Sequence, residues 1–354
     1  MLDMSTLKDE LRAAGLFERR EKETWFKAVL MMSAVLTIFA IQMTGPMWLA
    51  LVLMPIAALF GTGFVMIGHE GCHRGLSSNP KRNALIANWC FPLFSGLSAQ
   101  YWSHKHNILH HAYPNVHLDD PDVDLWPMAS TKDAYLASGP LRRWFQRNLQ
   151  GYCFWPLTSF MVWTMRFHSV VFSYRYFKKR GANRRWATDV GCMAGHYTCW
   201  VIVPSILFGW KAIGFYLLFW AIMSMYLAGV FAPAHIGLPI LTGHDDIWRL
   251  QFETTRNLRL PKWLSVFFIG LDYQLEHHLF PKISHLHLPE VAKITERWAK
   301  ANGLPYHTVG YWEGICDATR FIRDGWQYEP LDHVGPLSPE AVSDDELLAS
   351  ASPG

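Results

Sequence analysis

Charged residues are scarce in this chain of 354 residues, of which Asp, Glu, Lys and Arg make up 17%. A soluble domain carries roughly 25% charged residues. Hydrophobic residues reach 51%, and there are 17 tryptophans. The composition is typical of a polytopic membrane protein. A long basic block is also missing, and the net charge is only +3. Nucleic-acid binding therefore has no support in the sequence.

Paired cysteines are lacking as well. None of the six cysteines forms a CxxC pair, and most lie in or beside apolar runs. This pattern argues against a disulfide framework and favours reduced packing residues on a cytosolic face. Residues 1–27 include many charged side chains, and no signal-peptide cleavage pattern follows them. We therefore expect residues 1–27 to form a cytosolic or interfacial segment.

Two long segments are almost free of charge. Residues 28–68 carry none, and residues 190–234 carry only Lys211. Each segment is too long for one membrane span of about 20 residues but suits two. Turn residues at Gly45-Pro46 and at Gly209 divide the segments. The sequence thus predicts an all-α integral membrane fold with four transmembrane helices in two hairpins, near 28–44, 47–68, 190–208 and 212–234.

The other segments are expected to lie outside the bilayer core. Residues 85–99 are apolar but too short to span, so we expect a re-entrant or interfacial segment there. Residues 152–177 mix aromatic and charged side chains and are expected on the membrane surface. A membrane domain is predicted over 28–328. Residues 329–354, which are acidic and rich in proline, are predicted to form a disordered tail.

The positions of Lys and Arg predict the topology. The first 27 residues contain six Lys and Arg, and the stretch before the third predicted span is basic, whereas the two turns hold one lysine between them. Under the positive-inside rule, both termini and residues 69–189 face the cytosol. A His-rich cap is then expected on that cytosolic face.

Histidine occurs 17 times, mostly in clusters. The clusters are HEGCH at 69–73, HKHNILHH at 104–111 and QLEHH at 274–278. On an α-helix, residues four apart share one face, so His106 and His110 should lie together, with His111 offset. One HxxxH pattern is weak evidence, but three clusters expected on one side of one membrane are strong evidence for a shared metal site.

Imidazole is a good ligand for zinc, copper, iron and nickel. Eight imidazoles exceed the needs of one tetrahedral ion and can hold two ions with open positions. Two redox-active ions can supply electrons to dioxygen, which zinc cannot do. The eighth candidate ligand ends the last predicted span, where an ionisable residue is often functional. The candidate metal ligands are His69, His73, His106, His110, His111, His235, His277 and His278.

These clusters resemble the three His boxes of membrane fatty-acid desaturases, over about residues 61–290. HEGCH, then HKHNILHHAYPN followed by DDPDVD, then QLEHHLFP carry the resemblance. The third box is similar to the family subset in which Gln replaces the first His, here Gln274. The resemblance implies two non-haem iron ions on the cytosolic side of four membrane helices, bound by the seven box histidines. His235 resembles an additional ligand of acyl-CoA desaturases, and Gln274 is a weak ligand or a group that supports one.

Four further polar side chains lie in or near the clusters. They are candidates to accept N–H bonds from ligand rings and so fix the ring tautomers. For the two aspartates the alternative is a solvated turn around Pro121. The four residues are Asn107, Asp120, Asp124 and Glu276.

The resemblance implies an oxygen-dependent fatty-acid desaturase that acts on an acyl lipid or acyl-CoA with dioxygen and two external electrons. The chain contains no HPGG haem-binding motif of the fused family members. We therefore expect a separate electron donor of ferredoxin or cytochrome type with its reductase. The expected location is a bacterial inner membrane, or the endoplasmic reticulum of a eukaryote, with the active site cytosolic.

Three alternatives remain open. A hydroxylase or ketolase of the same His-box superfamily uses the same oxidant with a different outcome. HEGCH also matches the HExxH signature of zinc metalloproteases, with Glu70 as general base, although this leaves the other clusters unexplained. A non-catalytic metal- or lipid-binding membrane protein is the third alternative. Metal analysis distinguishes the desaturase, which should contain about two irons per chain, from the protease, which should contain one zinc.

Overall fold

The computed structural model describes residues 2–332, which are mostly helical. The tail predicted over 329–354 therefore lies, from residue 333 onward, outside the described residues. Among residues 329–332 of this predicted tail, the backbone N–H of Leu331 donates to the carbonyl of Ile240, and the carbonyl of Leu331 accepts from the N–H of Thr242.

Four helices are long and apolar enough to cross a membrane. They are α2 (Glu21–Thr44), α3 (Met47–Cys72), a helix over Arg184–Phe208 and α12 (Trp210–His235). The third consists of α10 (Arg184–Tyr197), a π-helical stretch (Thr198–Ile202) and α11 (Val203–Phe208). The first and third helices begin six or seven residues before the predicted spans. A charge-free run marks only the apolar part of a helix and not the polar turns that precede it.

Helix α3 is the central element, since it packs against α2, α12 and the shorter helices over Pro80–Asn88 and Lys262–Phe268. Helices α3 and α12 run in the same direction. Lys211, in the first turn of α12, donates to the carbonyls of Met43 (3.0 Å) and Gly45 (3.2 Å), directly before α3 begins. Their carboxyl-terminal ends carry His69 and His235, so both helices bring a histidine to the same end of the molecule.

Glycines allow the carboxyl-terminal half of α3 to approach its neighbours closely. A Cβ atom added at Gly68 would overlap Cys90, and one added at Gly71 would overlap Ile86. The segment after α3 therefore lies directly against it. Residues 85–99, expected to be re-entrant or interfacial, bury Phe91 and Phe94 in the core around α3.

Shorter helices surround the four long ones. Helix α1 packs through Leu7 and Leu11 on α16. Residues 152–177, expected on the membrane surface, form α8 and α9. The shorter α-helices are α1 (Ser5–Ala13), α4 (Pro80–Asn88), α5 (Ala99–Trp102), α6 (Lys132–Leu136), α7 (Pro140–Asn148), α8 (Gln150–Leu157), α9 (Met161–Arg180), α13 (Ile247–Thr254), α14 (Lys262–Phe268), α15 (Gln274–Leu279), α16 (Leu288–Ala301) and α17 (Tyr311–Asp324).

Other helical types and one small sheet complete the fold. Strand β1 (Asn257–Arg259) pairs in parallel with β2 (Thr308–Gly310). The prediction of an all-α fold omitted this pair, because three-residue strands far apart in the chain leave no periodic pattern. Two more π-helical stretches cover Trp89–Ser95 and Ser103–His110, and two 3-10 turns cover Thr158–Phe160 and Gly325–Gln327.

Candidate metal centre

The eight predicted histidines gather in two adjacent groups of imidazoles. Within each group, one ring nitrogen per residue lies within 4.8 Å of those of the others. Each of the eight residues is at least nine-tenths buried. The larger group contains His69, His73, His106, His111 and His277, and the smaller contains His110, His235 and His278.

The first cluster lies at the carboxyl-terminal end of α3. His69 is in the last turn and His73 is the residue that ends the helix. The spacing of four residues places both rings on one face, and their Nε2 atoms are 3.2 Å apart. Both belong to the larger group, as the sequence predicts.

The second cluster differs from the expected α-helical arrangement. Residues Ser103–His110 form a π-helix, in which hydrogen bonds join residues five apart; the N–H of His111 donates to the carbonyl of His106. His111 is therefore close to His106, with Nε2 atoms 3.2 Å apart. His110 belongs to the other group. The rings of His106 and His110 stack with centroids 5.2 Å apart, as expected, but the change in helix type brings His111 close to His106 as well.

The third cluster divides its two histidines between the groups. His277 and His278 are consecutive on α15, and their ring planes are 87° apart. His277 lies 4.7 Å from His69 between ring centroids, whereas His278 lies 4.8 Å from His235. One short helix thus contributes a histidine to each group.

The ring nitrogens fit bound metal ions better than they fit each other. Nε2 of His69 is 2.7 Å from Nε2 of His106. The Nε2 atoms of His277 and His278 are buried and find no hydrogen-bond partner among residues 2–332. Burial, followed by the neighbouring imidazoles, holds the pKa values of His106 and His277 well below their usual range. Neutral imidazoles have the free lone pair that a metal ion requires.

In the smaller group, neighbouring acceptors fix every ring. Nδ1 of His278 donates to the side-chain oxygen of Gln251 (2.9 Å), and Nδ1 of His235 donates to the carbonyl of Thr254 (3.2 Å). Nδ1 of His110 donates to the carboxylate of Asp120 at 3.0 and 3.1 Å. With the proton on Nδ1, each ring presents the lone pair of Nε2 to the group.

Asp120 is itself held rigidly. Its carboxylate accepts the backbone N–H groups of Asn115 and Asp122, each at 2.9 Å. Burial of His110 lowers its pKa, but the carboxylates of Asp120 and Asp122 together outweigh burial and leave the pKa raised. The partner of Asp120 is thus the most basic ring that the structure places in either group, and basic rings bind metal ions well.

Gln274 also lies at the smaller group. Its side-chain nitrogen is 3.2 Å from Nε2 of His235, and its side-chain oxygen is buried with no partner among the described residues. An amide oxygen in this position can serve as a weak ligand.

The other three predicted supporting side chains bond elsewhere. Asn107 donates to the carbonyl of Cys72 (2.9 Å) and so attaches the π-helix to α3. Asp124 lies 3.6 Å from Nδ1 of His117. Glu276 accepts from Asn257 (2.7 Å) and Tyr306 (2.8 Å), and burial raises its pKa to about 7.

Glu70 lies between the ligands of the first cluster but pairs with another residue. Its carboxylate accepts from Nδ1 of His285 at 2.6 Å. Nζ of Lys27 lies 3.0 Å from Nε2 of the same ring, which places the ring proton on Nδ1 if Lys27 donates. The pair joins α3 to the segment that follows the third cluster. This contact with His285 differs from the role of general base that a zinc protease would assign to Glu70.

Sequence reasoning missed the contacts of Gln251, Thr254 and His285. Gln251 and Thr254 are three residues apart on α13. Polar residues with this spacing occur on many helices, so the spacing does not indicate a metal centre. His285 follows the third cluster by seven residues, and its contact with Glu70 spans 215 positions. Contacts this distant in sequence leave no local signal.

Comparisons with known proteins point to one family. A family model described as "Fatty acid desaturase" matches residues 46–310. An acyl-lipid (8-3)-desaturase of Rebecca salina is 26% identical over 70% of this chain and 58% of its own length. A Delta(6)-fatty-acid desaturase of Caenorhabditis elegans is 27% identical over 88% of the chain and 72% of its own length.

A third relative, a Delta(8)-fatty-acid desaturase of Arabidopsis thaliana, is 25% identical over 91% of the chain and 74% of its own length. The chain thus spans between 58% and 74% of these three relatives. All three names describe desaturases, which favours desaturation over the hydroxylase and zinc-protease alternatives. The family match covers most of the described residues and all three His clusters, so the chain belongs to the fatty acid desaturase family.

Proposed function

We propose that this protein is a membrane-bound, oxygen-dependent fatty-acyl desaturase with two iron ions bound by the eight clustered histidines. The observation that carries the proposal is the division of these imidazoles into two adjacent buried groups. Rings of the two groups approach closely, since the centroids of His111 and His278 are 4.2 Å apart in a stacked arrangement. One group binds one ion through five histidines, and the other binds the second ion through three histidines with Gln274 as a weak ligand.

The chain's own residues bind the metals, orient them and exclude water. Bound iron would supply the redox chemistry by which dioxygen removes hydrogen atoms from an unactivated acyl chain. The smaller group offers fewer side-chain ligands, which leaves room for dioxygen or substrate at that ion. Asp120, Gln251 and the carbonyl of Thr254 keep its rings on the Nδ1–H tautomer. Preorganised ligands of this kind need no rearrangement during the reaction.

The overall reaction consumes one dioxygen, two electrons and two protons, and yields one double bond and two waters. The two hydrogen atoms removed from adjacent carbons of the acyl chain complete the balance. The electrons come from a separate donor of ferredoxin or cytochrome type with a reductase. The acyl group is carried on a lipid or on coenzyme A.

The proposed topology has two hairpins with both termini and the metal centre on the cytosolic side. Two observations support it. Lys211 lies beside the turn between α2 and α3, which places both proposed hairpin turns at the end of the molecule opposite the histidines. The basic residues of the amino-terminal segment and of the stretch before α10 lie toward the histidine end. The membrane is a bacterial inner membrane, or the endoplasmic reticulum of a eukaryote.

The test is expression in a host that lacks the activity, followed by mass spectrometry of its lipids and iron analysis of the purified protein. We expect new double bonds in acyl chains and about two irons per chain. His110→Ala should abolish turnover, whereas a change of His307, which lies outside both groups, should not. Protein without iron, full turnover by His110→Ala, or hydroxylated lipids as the main product would contradict the proposal.

A further inference from the structure

A buried carboxylate on the third membrane-crossing helix contacts the helix that carries the second His cluster. Asp189 lies on α10 and is 2% exposed. Asp189 lies in the polar turns of α10 that precede its apolar part, and a charged side chain that is buried there is expected to have specific hydrogen-bond partners. Its partners here are at the amino-terminal end of α5, which continues directly into the π-helix Ser103–His110.

The amino-terminal end of α5 exposes backbone N–H groups that the helix itself cannot satisfy. Oδ1 of Asp189 accepts the N–H of Ala99 at 2.9 Å, and the hydroxyl of Ser98 donates to Oδ2. The Ser98 hydroxyl in turn accepts the N–H of Tyr101 at 3.0 Å. Ser98 thus caps its own helix, and Asp189 extends the cap from another element of the fold.

Helix α9 completes the arrangement. The N–H of Ser98 donates to the hydroxyl of Ser169 at 3.1 Å, and both serines are fully buried. Three elements therefore converge on one helix start. Buried N–H groups that lack a hydrogen-bond partner are costly, so these bonds favour this start for α5.

The cap lies eight residues before His106. Trp102, in the last position of α5, stacks on the ring of His106 with centroids 4.7 Å apart and planes at 24°. It also approaches His69 at 6.0 Å. The helix that follows is of the π type, which is rare and is frequently found at functional sites.

We propose that Asp189 is a positioning residue. Through Ser98 it fixes the start of the helix that carries His106, His110 and His111, and so keeps the second His cluster in the π-helical register that divides its histidines between two metal sites. A shift of this helix would move His106 and His111 out of the larger group together. The inference rests on the proposed di-metal function, and it assigns Asp189 no contact with substrate or metal.

The experiment measures metal binding without turnover. Full-length protein is stripped of metal by chelation and titrated with Co²⁺, whose visible absorption reports ligand geometry. Asp189→Asn and Ser98→Ala are compared with wild type, with Ser98→Thr as the conservative variant that keeps the hydroxyl. Thr188→Ala is the matched control, since Thr188 is the exposed neighbour of Asp189 on the same helix.

We expect Asp189→Asn and Ser98→Ala to bind Co²⁺ about tenfold more weakly, in the range seen when supports of metal ligands are removed. Their visible bands should shift, while Ser98→Thr and Thr188→Ala resemble wild type. Thermal unfolding of the metal-free proteins separates positioning from general stability. A lower melting temperature with unchanged Co²⁺ affinity and spectrum would overturn the inference.

The outcome for wild type separates the two proposals. If wild type binds about two Co²⁺ ions and both Asp189→Asn and Ser98→Ala behave identically to it, the role of Asp189 is rejected and the proposed function stands. Wild type that binds none rejects both. If Asp189→Asn fails to fold, the comparison of Ser98→Ala with Ser98→Thr decides the question.

Discussion

At the scale of single residues, the metal centre depends on hydrogen bonds at the ring nitrogens that face away from it. His278, His235 and His110 each donate from Nδ1 to an oxygen, and the three oxygens come from an amide, a backbone carbonyl and a carboxylate. The backbone carbonyl cannot be removed by substitution, but the side chains can. Their removal is expected to weaken metal binding without removing any ligand.

Asp120→Asn provides the first prediction. The amide keeps one acceptor oxygen but loses the charge that raises the pKa of His110, and its NH₂ group cannot accept from the backbone. We expect metal affinity at the smaller group to fall about 10- to 100-fold, measured as irons per chain after dialysis. The neighbouring exposed Asp119→Asn is the control and should keep its iron. Unchanged iron content in Asp120→Asn would contradict the assigned role.

Glu70→Gln is the second prediction, because Glu70 is buried against His285 and is not a ligand. The amide oxygen still accepts from the ring, so we expect partial turnover and a loss of about 1 to 3 kcal/mol in the free energy of unfolding. Thermal unfolding and lipid analysis check the two parts. The exposed Glu290→Gln serves as control. Complete loss of turnover with unchanged stability would instead favour a general base at this position.

At the scale of secondary structure elements, the close contacts of α3 determine where the first cluster lies. Gly68 lies one residue before His69 and directly against Cys90. In Gly68→Ala the added Cβ would force α3 away from the π-helix Trp89–Ser95. We expect a loss of about 1 to 3 kcal/mol in stability, as for other overpacked cores, together with reduced iron content.

Gly214→Ala in α12 is the matched control for this third prediction. Nothing lies within 4 Å of the position that its Cβ would occupy. Alanine is favoured over glycine in a helix by roughly 0.5 to 1 kcal/mol, so this variant should be as stable as wild type or more so. Equal melting temperatures for the two variants would show that the approach of α3 to Trp89–Ser95 is not tight.

Helix type also affects which histidines lie together in each group. The spacing of the second cluster suggests an α-helix, yet the chain forms a π-helix there. The spacing of the histidines does not distinguish the two helix types. The contacts of this segment with other elements include the bond from Asn107 within the π-helix to the carbonyl of Cys72.

At the scale of the whole molecule, the proposed topology can be tested with the chain's own cysteines. Cys316 on α17 and Cys199 on the third membrane-crossing helix are both exposed. We expect a membrane-impermeant maleimide to label Cys316 only when the cytosolic face is accessible, and to leave Cys199 unlabelled within lipid. A cysteine at Met47, beside the first turn, should react from the opposite side. Labelling of Cys316 in intact cells would contradict the topology.

Removal of metal provides the last prediction. The ligands come from α3, the π-helix, α12 and α15, so bound ions join four parts of the chain that are distant in sequence. Metal bound only by the folded state stabilises it. We expect chelation to lower the melting temperature by at least several degrees, measured by scanning calorimetry, and added Fe²⁺ to restore it. An Ala variant of His110 should show a smaller effect of chelation than wild type.

From the sequence alone, hydrophobic runs predicted the four apolar helices, and clustered imidazoles predicted a shared metal site with Asp120 as a candidate partner of a ring, because these are local patterns. The tertiary structure decided how the histidines divide between two groups, that His111 lies with His106 in the larger group, and that Gln251 and Thr254 accept hydrogen bonds from rings of the smaller group. These features depend on contacts between residues far apart in the chain and on a helix type that such contacts select. A linear pattern of residue types carries no record of them.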